Sequence, residues 1–227
     1  VGISVAFWMG QTLGHPGGIN GGTRGARPSF QHEMDADGNE IDSCLCPLCP
    51  ELRSYLCGAL ARIARAEPEF ILLDDDFRHS RHNPHWCLCP LHLAAFRARG
   101  LPDLPRRELL RLALSGEPGP ERAAWCAVHE EAHLVLGCAL GEAVRAVAPN
   151  VRLGLAATQS CWDDLDLPRL LTAMAGPLRP LVRTHGAPYW VGGHRPAHDL
   201  GAIVEQVRWQ RGLLRQVLPQ ADELHEG

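Results

Sequence analysis

Three observations predict an α/β fold with a parallel sheet. Short apolar runs of strand character alternate with amphipathic helical stretches. The apolar runs are nearly unbroken, which suits strands covered on both faces. Each run also ends in acidic, imidazole or aromatic residues, as strands do at the mouth of a (β/α)8 barrel. A doubly wound sheet would concentrate such residues at one switch point and would carry G-x-G-x-x-G after its first strand, a motif missing here. The expected architecture is a TIM-type (β/α)8 barrel in incomplete form. About five strands are visible in a single partial catalytic domain over residues 1–227.

The elements follow in order. Val1 to Trp8 is β-branched and aromatic and reads as a strand. Residues 9–50 form a long loop rich in Gly and Pro with little periodicity. Leu52, Tyr55, Leu56, Ala59, Leu60 and Ile63 recur at helical spacing, so 51–66 is a helix that Pro68 stops. Phe70 to Leu73 is a short buried strand running into Asp74, Asp75 and Asp76. A Cys/His-containing insertion spans 79–118, with short helices at 90–99 and 106–114. A long helix covers 121–147, with Trp125, Val128, Ala132 and Leu136 on its apolar side, and Pro149-Asn150 ends it. Strands at 151–156 and 181–185 flank a helix at 168–175. A helix at 200–218 precedes a last strand near Ala221.

Composition removes several functions. No apolar run approaches the roughly 20 residues of a membrane span. A net charge of −4 and a pI near 6.3 argue against a nucleic-acid surface or a basic membrane patch. All 22 basic residues are arginine, so a lysine Schiff base and a lysine-bearing phosphate loop are excluded. The nine cysteines, several inside helices, suit reduced thiols and hence the cytoplasm. The chain starts at Val1 and ends just after a strand begins, so a fragment is expected. Self-association into a homo-oligomer stays open.

Four groups of residues could carry chemistry. Asp74, Asp75 and Asp76 repel one another unless solvated, bonded to cations or donors, or partly protonated, and Arg78 stands near to help. Strand alternation puts Asp74 and Asp76 on one face and Asp75 on the other. Cys44, Cys46 and Cys49 are echoed by Cys87, Cys89 and His92, and four of these six would suffice for a structural zinc ion. His129-Glu130-Glu131-Ala132-His133 matches H-E-x-x-H on a helix, which would make a zinc peptidase with Glu130 as base. Trp8, Trp86, Trp162, Tyr189 and Trp190 lie near strand ends, where aromatic faces stack on sugar rings. With His15, Arg78 and His185, the residues Trp8, Trp162 and Trp190 make up the expected substrate-binding set.

The run ILLDDDFR followed by CLCPLHLAAFRARG resembles the middle of barrel glycoside hydrolases related to the family-42 β-galactosidases. Those enzymes carry a C-x-C-x-x-C cluster and a Phe-Arg helix after their fourth strand. Cys87, Cys89 and His92 occupy the cluster here, with Phe96 and Arg97 after it, and His92 replaces the third cysteine. The chain is similar, more closely still, to bacterial barrel proteins with a strand ending in several aspartates.

The resemblance implies that 70–73 is barrel strand four, that strands three to seven are present, and that strands one, two and eight lie outside this chain. It implies a general acid/base after strand four, where the relatives use Glu after Asn and this chain has Asp74, Asp75 and Asp76. It implies a nucleophile at the end of strand seven, Glu226 in preference to Glu223. The activity implied is hydrolysis of an O-glycosidic bond, with retention if the carboxylates stand roughly 5–5.5 Å apart. A carbohydrate is then the partner, and catalysis needs no cofactor. A barrel that binds carbohydrate without turnover is the competing expectation, beside the zinc peptidase.

Overall fold

The computed structural model describes residues 5–14, 30–79, 86–115, 117–157, 161, 165–184 and 199–224. The main sheet has five strands in the order β1-β4-β5-β6-β7, all parallel: β1 Phe7–Met9, β4 Phe70–Leu73, β5 Arg152–Ala157, β6 Leu181–Thr184 and β7 Asp222–Leu224. Each strand neighbours the next one in the chain, as in a barrel wall. No complete barrel is present among the described residues.

Six helices complete this part of the fold: α1 Pro50–Ala64, α2 Pro90–Ala98, α3 Arg106–Leu114, α4 Pro120–Arg145, α5 Leu167–Ala175 and α6 Asp199–Val217. Proline stands in the first turn of α1, α2, α4 and α5, where its missing N–H costs nothing. Asp166 caps α5 by accepting from the Arg169 amide at 3.1 Å. None of the helices among the described residues is long and apolar enough to cross a membrane.

The long loop expected over 9–50 contains a structured piece. Residues His32–Met34 (β2) and Glu40–Leu45 (β3) pair as an antiparallel hairpin. Its turn is built by Asp35, whose carboxylate accepts from the Asp37 and Asn39 amides, while Gly38 takes a positive φ of 84°. A D-G turn signal stood in the sequence, but the flanking strands are too short and polar to declare a period. Residues at the ends of β3 and of α2 then bring the cysteines together.

Two apolar cores result. Ile71, Leu73, Leu153, Leu155 and Val182 pack from the sheet onto Leu56 and Leu60 of α1 and Leu136 and Leu140 of α4. A smaller core gathers Leu88, Phe96, Leu109 and Trp125 in the insertion. Helix α4 belongs to both, since Trp125 and Val128 face the small core and Leu136 onward the large one. Its contact with α5 is close because Gly137 and Gly141 lack side chains. A Cβ at Gly137 would stand 2.6 Å from Leu170 Cδ1, and one at Gly141 would run into the Met174 carbonyl.

In a barrel wall the other face of the sheet, turned away from α1 and α4, is the concave one. Leu72 pairs in register with Trp8 and Gly154, so these share the face opposite Ile71 and Leu73. Ala156 pairs with Arg183 on the same side. The Arg183 guanidinium lies 4.5 Å from the Trp8 ring although two strands stand between β1 and β6. Three strand spacings in a flat sheet are roughly 14 Å. The two long side chains span that distance across this face.

Candidate functional site

The acidic turn stands at the C-terminal end of β4, the strand next to the β1 edge. The Asp74 amide still bonds the Met9 carbonyl at 3.1 Å, so the ladder runs one residue past β4 and keeps Asp74 on the face of Leu72. Asp76 accepts from the Thr12 amide at 2.5 Å, the Thr12 hydroxyl at 2.7 Å and the Gly14 amide at 3.1 Å. It therefore fixes the loop that follows β1. Asp75 pairs with Arg78 at 2.9 Å, and Arg78 also donates to the Asp75 carbonyl. All three carboxylates are buried. Arg78, expected to meet substrate, is thus bound within the turn.

Glu223 is placed away from the concave face. It pairs in register with Val182, which packs into the helix-side core, and it takes Arg211 Nε at 3.1 Å and the Thr184 hydroxyl. Glu226, His15, Trp162, His185 and Trp190 lie outside the described residues.

Four of the six expected metal ligands converge. Donor atoms of Cys46, Cys87, Cys89 and His92 all lie within 4.8 Å of one another, and all four residues are buried. Cys46 Sγ is 3.4 Å from His92 Nδ1, Cys89 Sγ is 3.5 Å from Cys46 Sγ, and Cys89 Sγ is 3.6 Å from His92 Nδ1. Around tetrahedral zinc, with Zn–S near 2.3 Å and Zn–N near 2.0–2.1 Å, donors stand roughly 3.6–3.8 Å apart. The spacing and the donor set therefore fit the ion. Burial pushes the Cys46 and Cys87 thiols well up, whereas hydrogen bonds from those two hold Cys89 down. Three buried thiolates cannot coexist cheaply without a cation.

Cys44 and Cys49, the other two of the six, stand outside this group. Cys49 begins α1; its sulfur donates to Glu51 at 3.3 Å and receives the Gln31 amide at 3.4 Å. Cys44 precedes Cys46 by two residues but sits at the Gly14 bridge with its sulfur 3.5 Å from Ser43 Oγ. The three-residue reach from Cys46 to Cys49 crosses into a helix and leaves the cluster.

The H-E-x-x-H histidines lie in a different setting. His129 and His133 share one face of α4 and are fully buried, while Glu130 points to Arg169 at 3.2 Å. A peptidase zinc needs an open position and a base beside its water. Among the described residues no metal-ligand group includes these two histidines. They belong instead to a layer of rings. His79 stacks on Trp86 at 4.6 Å and meets His133 at 4.3 Å; His129 stacks on His92 at 4.7 Å and touches Trp125 at 5.2 Å. Burial holds His79 and His129 far below the usual imidazole range and His133 at about 4. Only the fold brings residues 79, 92, 129 and 133 together.

The chain matches no known family profile and no curated protein. Among solved structures it is similar to a polyextremophilic β-galactosidase from the Antarctic haloarchaeon Halorubrum lacusprofundi, with a TM-score of 0.64, 16% identity, and coverage of 96% of this chain and 36% of that one. It is also similar to the catalytic domain of a β-amylase from Paenibacillus polymyxa, with a TM-score of 0.50, 11% identity, and coverage of 98% and 76%. What the chain shares with these glycoside hydrolases is fold, a mixed α/β arrangement with a mostly parallel sheet. The chain spans about a third of the β-galactosidase's length.

Proposed function

We propose that the protein is a glycoside hydrolase whose strand-four acid acts from the concave face of the sheet. The observation that carries this reading is the acidic turn at the C-terminal end of β4, where barrel enzymes keep their chemistry. Asp75 and Asp76 serve as fixed charges, one on Arg78 and one on the loop after β1. Asp74 shares the concave face with Trp8 and is the proton donor to the leaving oxygen. Glu226 is the nucleophile, and the wall of Trp8 and Arg183 borders the sugar. Trp162, His185, Trp190 and His15 complete the sugar contacts.

Zinc held by Cys46, Cys87, Cys89 and His92 is structural in this reading. Four protein ligands leave it no open position, and it ties β3 to the insertion. The ion supplies no step of the hydrolysis.

The test is turnover on a panel of aryl glycosides by the purified protein and by Asp74→Asn. Loss of a general acid lowers the rate on a poor leaving group by roughly 10²–10⁴-fold and far less on a dinitrophenolate, which needs no proton. Equal rates for Asp74→Asn and the parent on the poor leaving group would exclude Asp74. Absence of turnover with saccharide binding intact would favour a non-catalytic barrel.

A further inference from the structure

The ring layer between the two candidate centres carries a cost that packing does not explain. Nitrogen atoms of His79, His92, His129 and His133 are buried without a hydrogen-bond partner in the structure, both nitrogens in the case of His129. Each such atom carries a desolvation penalty that a satisfied or apolar group does not. Leucine or phenylalanine at these positions would fill the same space without that cost.

The order of contacts suggests what the rings do. His92 offers Nδ1 to the cysteine sulfurs, and its ring lies nearly parallel to His129, at 20° and 4.7 Å. His129 meets His79 at 5.4 Å, and His79 meets His133 at 4.3 Å. His133 Nδ1 is 3.2 Å from the His129 carbonyl, and its ring edge meets Phe77 at 5.9 Å. Phe77 follows Asp76 directly, and its amide bonds the Asp74 carbonyl. An unbroken path of stiff planar contacts therefore runs from the Cys–His centre to the acidic turn. A metal fixes its ligand rings in one orientation, and neighbours of a ligand share that order.

We propose that His129 and His133 are positioning residues: with His79 they pass the order imposed by a metal at Cys46, Cys87, Cys89 and His92 to the acidic turn Asp74–Asp76. This rests on the reading of that centre as a zinc site. It gives the H-E-x-x-H segment a role that needs no metal of its own and no peptidase chemistry.

Hydrogen-exchange mass spectrometry of the protein, stripped and zinc-loaded, tests it without any substrate. Zinc is expected to slow amide exchange over 74–79 about tenfold or more. In His133→Leu the protein still takes zinc, but this protection is lost. In His129→Leu zinc affinity also falls about tenfold, because the stack on His92 is gone. Both variants remain folded by circular dichroism, since leucine removes orphaned nitrogens from a buried site. A role in packing alone would leave the zinc-dependent protection intact in both. Protection at 74–79 that is indifferent to zinc in the parent protein, or that survives in His133→Leu, overturns the proposal. Cobalt titration separates the two readings: without thiolate-to-cobalt absorption the metal site itself fails, and the coupling with it.

Discussion

Two His-bearing regions of this protein have metal-site spacing, and among the described residues one of them brings four donor residues together. Cys87-x-Cys89-x-x-His92 is a short local motif that needs a fourth donor from elsewhere; β3 delivers Cys46 to it, and the donors close to within 4.8 Å. His129-x-x-x-His133 has the ideal helical spacing, yet it receives no third ligand among the described residues and is sealed beneath Trp86, Phe77 and Trp125. Spacing on one helix guarantees a shared face and nothing more. What distinguishes the regions is what the fold lays against that face: a hairpin carrying a thiol in one case, a wall of rings in the other.

The largest expected effect comes from the ligands. Cys89→Ser should weaken zinc or cobalt binding by on the order of a hundredfold or more, because each thiolate is part of a closed four-donor site. His133→Leu should leave that affinity nearly unchanged. Metal titration followed by absorption compares the two, and equal losses would erase the distinction drawn between them.

A second test uses acid. His133 is held at about 4 by burial, against 6.5 for a free imidazole. Between those values the unfolded chain takes up a proton that the folded protein refuses. Stability is therefore fully present above about pH 6.5 and falls as pH drops toward 4, by about 3 kcal/mol from this one ring. His79 and His129 shift the same way and add to the slope. Chemical denaturation at pH 7.0 and 4.5 should show this fall. His133→Leu should flatten it by its own share. A profile that does not change in His133→Leu would mean the ring is charged or exposed.

The smallest effect concerns the position of α4 itself. Gly141→Ala sets a methyl group against the Met174 backbone, and the helix must shift from α5. A loss of about 1–3 kcal/mol in unfolding free energy is expected. Because α4 carries His129 and His133, the displacement should also alter Trp86 and Trp125 fluorescence, while Cys89→Ser alone should leave the α4–α5 contact as it is. An unchanged denaturation midpoint for Gly141→Ala would show that the two helices are less closely packed than their glycines imply.

Much of the fold was legible in the sequence because it is written in periodicities. The helix at 106–114 and the strands at 70–73, 152–157 and 181–184 match the apolar runs to within a residue or so. The hairpin at 32–45 was not legible, because its strands hold His, Glu, Asp and Ser whose role is to present residues to the insertion. The acidic turn was visible as a triplet, but the division of labour within it was not. Asp76 is committed to Thr12 and Gly14, which are more than sixty residues away.

Residue chemistry and local spacing alone established the parallel α/β character, the exclusion of lysine chemistry, the strand end bearing Asp74, Asp75 and Asp76, and the residue types of the Cys–His cluster. Tertiary structure alone decided which four donors meet, that His129 and His133 turn inward while Glu130 turns outward, and that Glu223 faces helices rather than the concave wall. The reason is one of range. Periodicity records how a residue relates to neighbours a turn or a pleat away, whereas a ligand set or a buried ring layer depends on segments that approach only when two cores close on the same helix.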